Sequence, residues 1–163
     1  MATIVTASDL TVTVNDSLTL NGVAYGGSTS KLDSGCNEVV QRIVKVALQA
    51  AGGVTQTWTT LFNLSTVNAA GTGIKTEFQY ARITNLDNLN YLTLQLDLVA
   101  ENQKIQIKLQ AGESYIINNA SMTAIAAAAP ATGYESFSTL EQVRAAANTA
   151  PIDVEILFAF KAE

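Results

Sequence analysis

A chain without a single histidine has few ways to move a proton at neutral pH. The absence removes Ser-His-Asp and Cys-His catalysis, the commonest transition-metal ligand and the usual general base. Cys36 is the only cysteine, which excludes an intrachain disulfide and any multi-cysteine metal site. It sits between Gly35 and Asn37, and the nearby Asp33 and Glu38 raise a thiol pKa, so it reads as a poor nucleophile. Fourteen acidic residues could in principle supply a glycosidase pair, but no spacing singles one out. Asp97 and Glu101 lie among polar neighbours and read as a solvated face. Asp87-Asn88-Leu89-Asn90 offers oxygen ligands without the EF-hand spacing, and turn formation accounts for each of its residues. Gly71-Thr72-Gly73 lacks the further glycine and the strand-before, helix-after setting of a phosphate loop. The prediction is a protein that is not an enzyme and carries no catalytic residue, no metal and no cofactor.

The remaining chemistry is that of contact. Trp58, Tyr115 and Tyr134 could stack against a sugar ring, although a lone Trp in a β domain is more often core. The 163 residues contain 48% apolar and only 14% charged side chains, against roughly 25% charged in ordinary soluble domains. Such an uncharged surface suits a protein covered by neighbours, and it also suits a plain sandwich with a Thr- and Asn-rich exterior. Nine basic residues are scattered singly against fourteen acidic ones, a net charge of −5, so neither nucleic acid nor an anionic membrane is an expected partner. The segment Met1 to Asp9 has no basic start and no long apolar stretch, and reads as something other than a signal peptide.

The elements that must position these side chains are strands. Leu10, Val12 and Val14 alternate with threonines, and Leu18 and Leu20 lead to the turn dipeptide Asn21-Gly22, which predicts a hairpin. A polar, Gly-rich connection is expected from Gly26 to Asn37. Val40, Val44, Val46 and Leu48 then share a face interrupted by Arg42. Strands follow over Thr57–Leu64, over Phe78–Ile83 with Phe78, Tyr80 and Arg82 on one side, and at Leu92, Leu94, Leu96 and Leu98. Ile105, Ile107 and Leu109 form another, and Ile152–Phe160 the last. Ser121–Ala131 is open between helix and loop. Ser138 as cap and Glu141 three residues on predict one short helix near 138–147. The fold class expected is all-β, an antiparallel β-sandwich of jelly-roll type, as a single domain over residues 10–163.

The stretch Tyr80-Ala-Arg-Ile-Thr-Asn-Leu-Asp-Asn-Leu-Asn-Tyr-Leu-Thr-Leu94, followed by Ile107-Lys-Leu-Gln-Ala-Gly-Glu-Ser-Tyr115, resembles small β-sandwich proteins of tailed-phage virions, most of all capsid decoration (cement) proteins. The resemblance implies a jelly-roll subunit, commonly a homotrimer, made in the host cytoplasm and placed on the virion. Its expected partner is the major capsid protein, whose lattice it stabilises. A head-fibre or tail component and a carbohydrate-binding sandwich are the alternatives. No family contact residue maps onto the chain. Residues 1–9 are expected to form an N-terminal arm or edge segment, with Ile4, Val5 and Thr6 as the interface, because a β-prone apolar pair precedes the first sound strand.

Overall fold

Why alternating sequences of this kind form two sheets is a matter of burial: each strand has one apolar face and needs a second sheet to cover it. The structure, a computed structural model, describes residues 6–48, 57–64, 77–98, 104–118, 123–124 and 135–161. Eight strands build the sandwich: β5 (Glu38–Val46), β6 (Thr59–Asn63), β7 (Phe78–Asn85), β8 (Leu92–Leu98), β9 (Lys104–Leu109), β10 (Ser114–Ile117), β13 (Leu140–Ala147) and β14 (Ile152–Phe160). Sheet I has the order β10-β7-β14-β5 and sheet II the order β6-β13-β8-β9, all neighbours antiparallel. Counted first to eighth along the chain, these orders are 6-3-8-1 and 2-7-4-5. That is the jelly-roll arrangement, in which successive strands change sheets except for the hairpin from the fourth to the fifth.

Between the sheets, Leu92, Leu94, Leu96 and Leu98 of β8 face Ile152, Val154, Ile156, Phe158 and Phe160 of β14, all buried. Phe62 stacks on Phe158 at a centroid distance of 4.5 Å, and Phe78 and Phe160 complete the aromatic end of the core. Phe78 was expected beside Tyr80 and Arg82. Instead, a bulge in β7 lets Ala159 pair with Tyr80 and Phe160 with Phe78, skipping Gln79. The extra residue reverses the alternation and turns Phe78 inward with Ala81 and Ile83. Arg42, the charge that interrupts the apolar face of β5, spans the corner between the sheets. Its guanidinium donates to the Leu61 carbonyl at 2.6 Å and lies 5.7 Å from the Phe62 ring centre.

The helix expected near 138–147 is not formed. Phe137–Thr139 makes one 3-10 turn, and Leu140–Ala147 is strand β13. Its leucine, glutamine, arginine and alanine residues are good helix formers, but that preference is small per residue, whereas this segment occupies an inner position and pairs with β6 on one side and β8 on the other. The small Ala145 and Ala147 lie opposite Leu94 and Leu92, where the leucines fill the core. Within the segment left open, Thr123–Ala124 (β11) pairs with Glu135–Ser136 (β12).

The remaining strands precede the sandwich. β1 (Ser8–Asn15) pairs with β4 (Ser28–Cys36), and between them β2 (Leu18–Leu20) pairs with β3 (Val23–Tyr25). The connection expected from Gly26 to Asn37 is therefore a strand. Thr29, Ser30 and Ser34 carry no apolar alternation because these positions stand in water, where a ribbon tolerates polar side chains. Asn21 and Gly22 turn the tip with φ of 51° and 77°, as a two-residue hairpin loop requires.

Candidate interaction surface

The root of this ribbon lies across the outer face of sheet I. Leu10 and Val12 pack against a small cluster of Cys36, Tyr80, Leu157 and Ala159, distinct from the main core. Asn37 donates its N–H to the Phe160 carbonyl at 3.1 Å, which fixes the end next to β5 and β14. Lys31 Nζ donates to the carbonyl of Asn118, just past β10, and to Asp33 Oδ1, each at 2.6 Å. The ribbon thus crosses from β14 over β7 to the β10 edge. Beyond that edge every residue from Thr13 to Ser30 is exposed.

The exposed part has two different faces. Leu18 pairs with Tyr25 and Leu20 with Val23, so these four apolar side chains share one side of the tip, each more than half exposed. Thr13 and Ser30 hydrogen-bond across the ribbon at 3.0 Å on the more polar stretch nearer the body. Asp16 and Gly27 exchange main-chain hydrogen bonds at 2.9 and 3.2 Å, joining the two pairs of strands. Gly26 at this join has φ of 122°, and a Cβ there would stand 2.1 Å from the Asp16 carbonyl oxygen. Only glycine fits this close approach.

A second exposed apolar strip lies on the opposite edge of sheet I. Val39 and Ile43 point outward from β5, 60% and 64% exposed, with Gln41 between them and Lys45 beyond. Gln41 donates to Glu155 at 2.8 Å, and Glu155 pairs with Arg82 at 2.9 Å, so the polar groups behind the strip are engaged with one another.

The outer face of sheet II is polar. Gln106 donates to Gln95 at 2.9 Å, Gln95 donates to Asp97 at 2.7 Å, and Arg144 forms an ion pair with Asp97. Arg144 also lies 5.8 Å from the Trp58 ring centre. Tyr115 instead faces inward from β10 and packs on the core, where burial pushes its phenol pKa up. Trp58 and Tyr115 therefore do not share a platform. Tyr134 lies outside the described residues, as do Glu101 and the Gly71-Thr72-Gly73 loop.

No family model, no curated protein and no solved structure matches this chain. Cys36 is buried, and desolvation, followed by the Asp33 carboxylate, raises its thiol pKa. Asp87 Oδ1 accepts the N–H groups of Asn90 at 2.6 Å and Leu89 at 2.8 Å, which depress its pKa and show the carboxylate serving its own turn. Among the described residues no group of three or more His, Cys, Asp or Glu side chains could hold a metal ion.

Of the expected interface, Thr6 is exposed ahead of β1, and Ile4 and Val5 lie outside the described residues. The ribbon tip was not singled out from sequence. The available signal was the spacing of Leu18, Leu20, Val23 and Tyr25 about Asn21-Gly22, an apolar hairpin face with no apolar partner strand.

Proposed function

We propose that this chain is a non-enzymatic structural subunit of a tailed-phage virion, a cement or decoration protein that binds the major capsid protein and stabilises its lattice. The observation that carries this reading is the ribbon, eighteen consecutive exposed residues ending in a one-sided apolar tip. A folded domain gains nothing internally from holding Leu18, Leu20, Val23 and Tyr25 in water, and an isolated two-stranded ribbon is marginal on its own. Contact with another subunit supplies the missing burial.

The jelly roll itself serves capsid subunits and lectins alike, so the architecture alone favours neither. A sugar platform needs aromatic rings on one face, and Trp58 and Tyr115 lie apart. The low charge and the resemblance around Tyr80–Leu94 agree with the structural role, and assembly as a homotrimer in the virion, after synthesis in the host cytoplasm, belongs to the same reading. Purified protein mixed with undecorated capsids of the parent virus is expected to co-sediment with them. Protein that stays in the supernatant at micromolar concentration, or that is located on the tail of intact particles, overturns the capsid role.

A further inference from the structure

Resting on the assembly reading above, we infer that the ribbon tip of one copy docks on the β5 strip of a second copy, joining the subunits head to tail. The donor and acceptor surfaces sit at opposite edges of the same sheet. The ribbon leaves the body past β10, beyond the contact of Lys31 with Asn118, whereas Val39 and Ile43 lie on β5 at the far side of β7 and β14. Its direction carries the tip away from its own acceptor.

From Thr13 to Leu20 the ribbon reaches roughly 23 Å at 3.3 Å per residue, and four strands span roughly 14 Å between the outer two. The tip is therefore long enough to lie across a neighbour's strip. Leu18, Leu20, Val23 and Tyr25 form an apolar face, and Val39 and Ile43, on either side of Gln41, offer two exposed apolar side chains to receive it. The charges are opposite in sign: Asp16 is the one charge in the exposed ribbon from Thr13 to Ser30, and Lys45, in register with Asp153 of β14, is the charge that follows Ile43 on the outward row of β5.

Because the two surfaces differ, the contact is heterologous: each subunit gives its tip to the next and receives one from the previous copy. Such contacts close into a ring when the rotation between subunits permits. A ring of this kind leaves the outer face of sheet II, with its Gln106–Gln95–Asp97–Arg144 network, outside the subunit contact.

The test is the mass of the intact protein by light scattering and sedimentation, for the wild type, Leu20→Asp and Ile43→Asp. Both substituted side chains are exposed, so the sandwich is expected to keep its circular dichroism and melting temperature in each variant. The wild type is expected to run as a multiple of the 17.2 kDa chain and both variants as monomers. In a Cys36→Ser background, Leu20→Cys chains mixed with Ile43→Cys chains should form a cross-linked dimer under oxidation. A monomeric wild type, or either aspartate variant with the wild-type mass, overturns the inference. A monomer that still co-sediments with capsids sinks the self-docking while leaving the cement role. A multimer dissociated by both aspartates that ignores capsids does the reverse.

Discussion

The side-chain amide of Asn85 donates to the main-chain carbonyl of Gln110, 25 residues further along the chain, at 3.0 Å. The same nitrogen reaches the carbonyls of Asn90 at 2.9 Å and Leu109 at 3.2 Å, and Asn85 Oδ1 accepts the N–H of Asp87 at 3.0 Å. The main chain of Asn85 joins Glu113 and Gly112 as well. The two stretches Ile83-Thr-Asn-Leu-Asp87 and Lys108-Leu-Gln-Ala-Gly-Glu113 are thus one knot of the fold, closed by a side chain of 0% exposure.

Asn85→Ala is expected to leave buried carbonyls without their donor and cost about 3 kcal/mol. Asn85→Asp places a carboxylate against three carbonyl oxygens, so its folded-state pKa is raised above the unfolded value of about 3.9. The sign follows: this variant is least impaired below that value and loses stability as pH rises through its folded pKa. Urea denaturation across the acid range checks it, and a pH-independent deficit counts against the geometry.

Phe158 has its ring 4.5 Å from Phe62 and 6.3 Å from Phe160, fully buried between the sheets. Phe158→Ala removes the ring where β14 of sheet I meets β6 of sheet II. A loss of about 3–5 kcal/mol is expected, measured by denaturant unfolding. A loss below about 1 kcal/mol would show that the two sheets do not meet at this ring.

Gly26→Val is expected to disrupt the ribbon and spare the body. A side chain there meets the Asp16 carbonyl, and φ of 122° is one that L-residues rarely adopt. Amide exchange should accelerate in residues 13–30 while β7, β13 and β14 keep their protection, and the mass of any oligomer should fall. Unchanged exchange in the ribbon would contradict the close approach at the join.

Cys36 should react slowly with a disulfide reagent at mildly alkaline pH and rapidly once the protein is unfolded, because burial and Asp33 raise its thiol pKa. A raised pKa means the thiol contributes stability fully below its unfolded value and loses it as pH rises through the folded one. Equal reaction rates in native and denatured protein would place Cys36 outside the cluster with Tyr80, Leu157 and Ala159.

The all-β class and most sandwich strands were legible from alternation alone, since Leu92 to Leu98 and Ile152 to Phe160 each need one buried face and β-geometry provides it with period two. The turn at Asn21-Gly22 was legible for the same local reason: few other residues accept positive φ at both positions. Three features were decided only by tertiary contacts. Leu140–Ala147 became a strand because β6 and β8 offered two ladders that outweigh its intrinsic helical preference. Phe78 turned inward because the bulge opposite Ala159 and Phe160 shifts the alternation by one residue. Ser28–Cys36 became a strand without any apolar pattern of its own, since its pairing with β1 fixes the backbone while water covers its outer face. Local chemistry determines which segments are extended, but which residues stand exposed at the end of a ribbon depends on what the rest of the chain covers, and only the packed structure sets that.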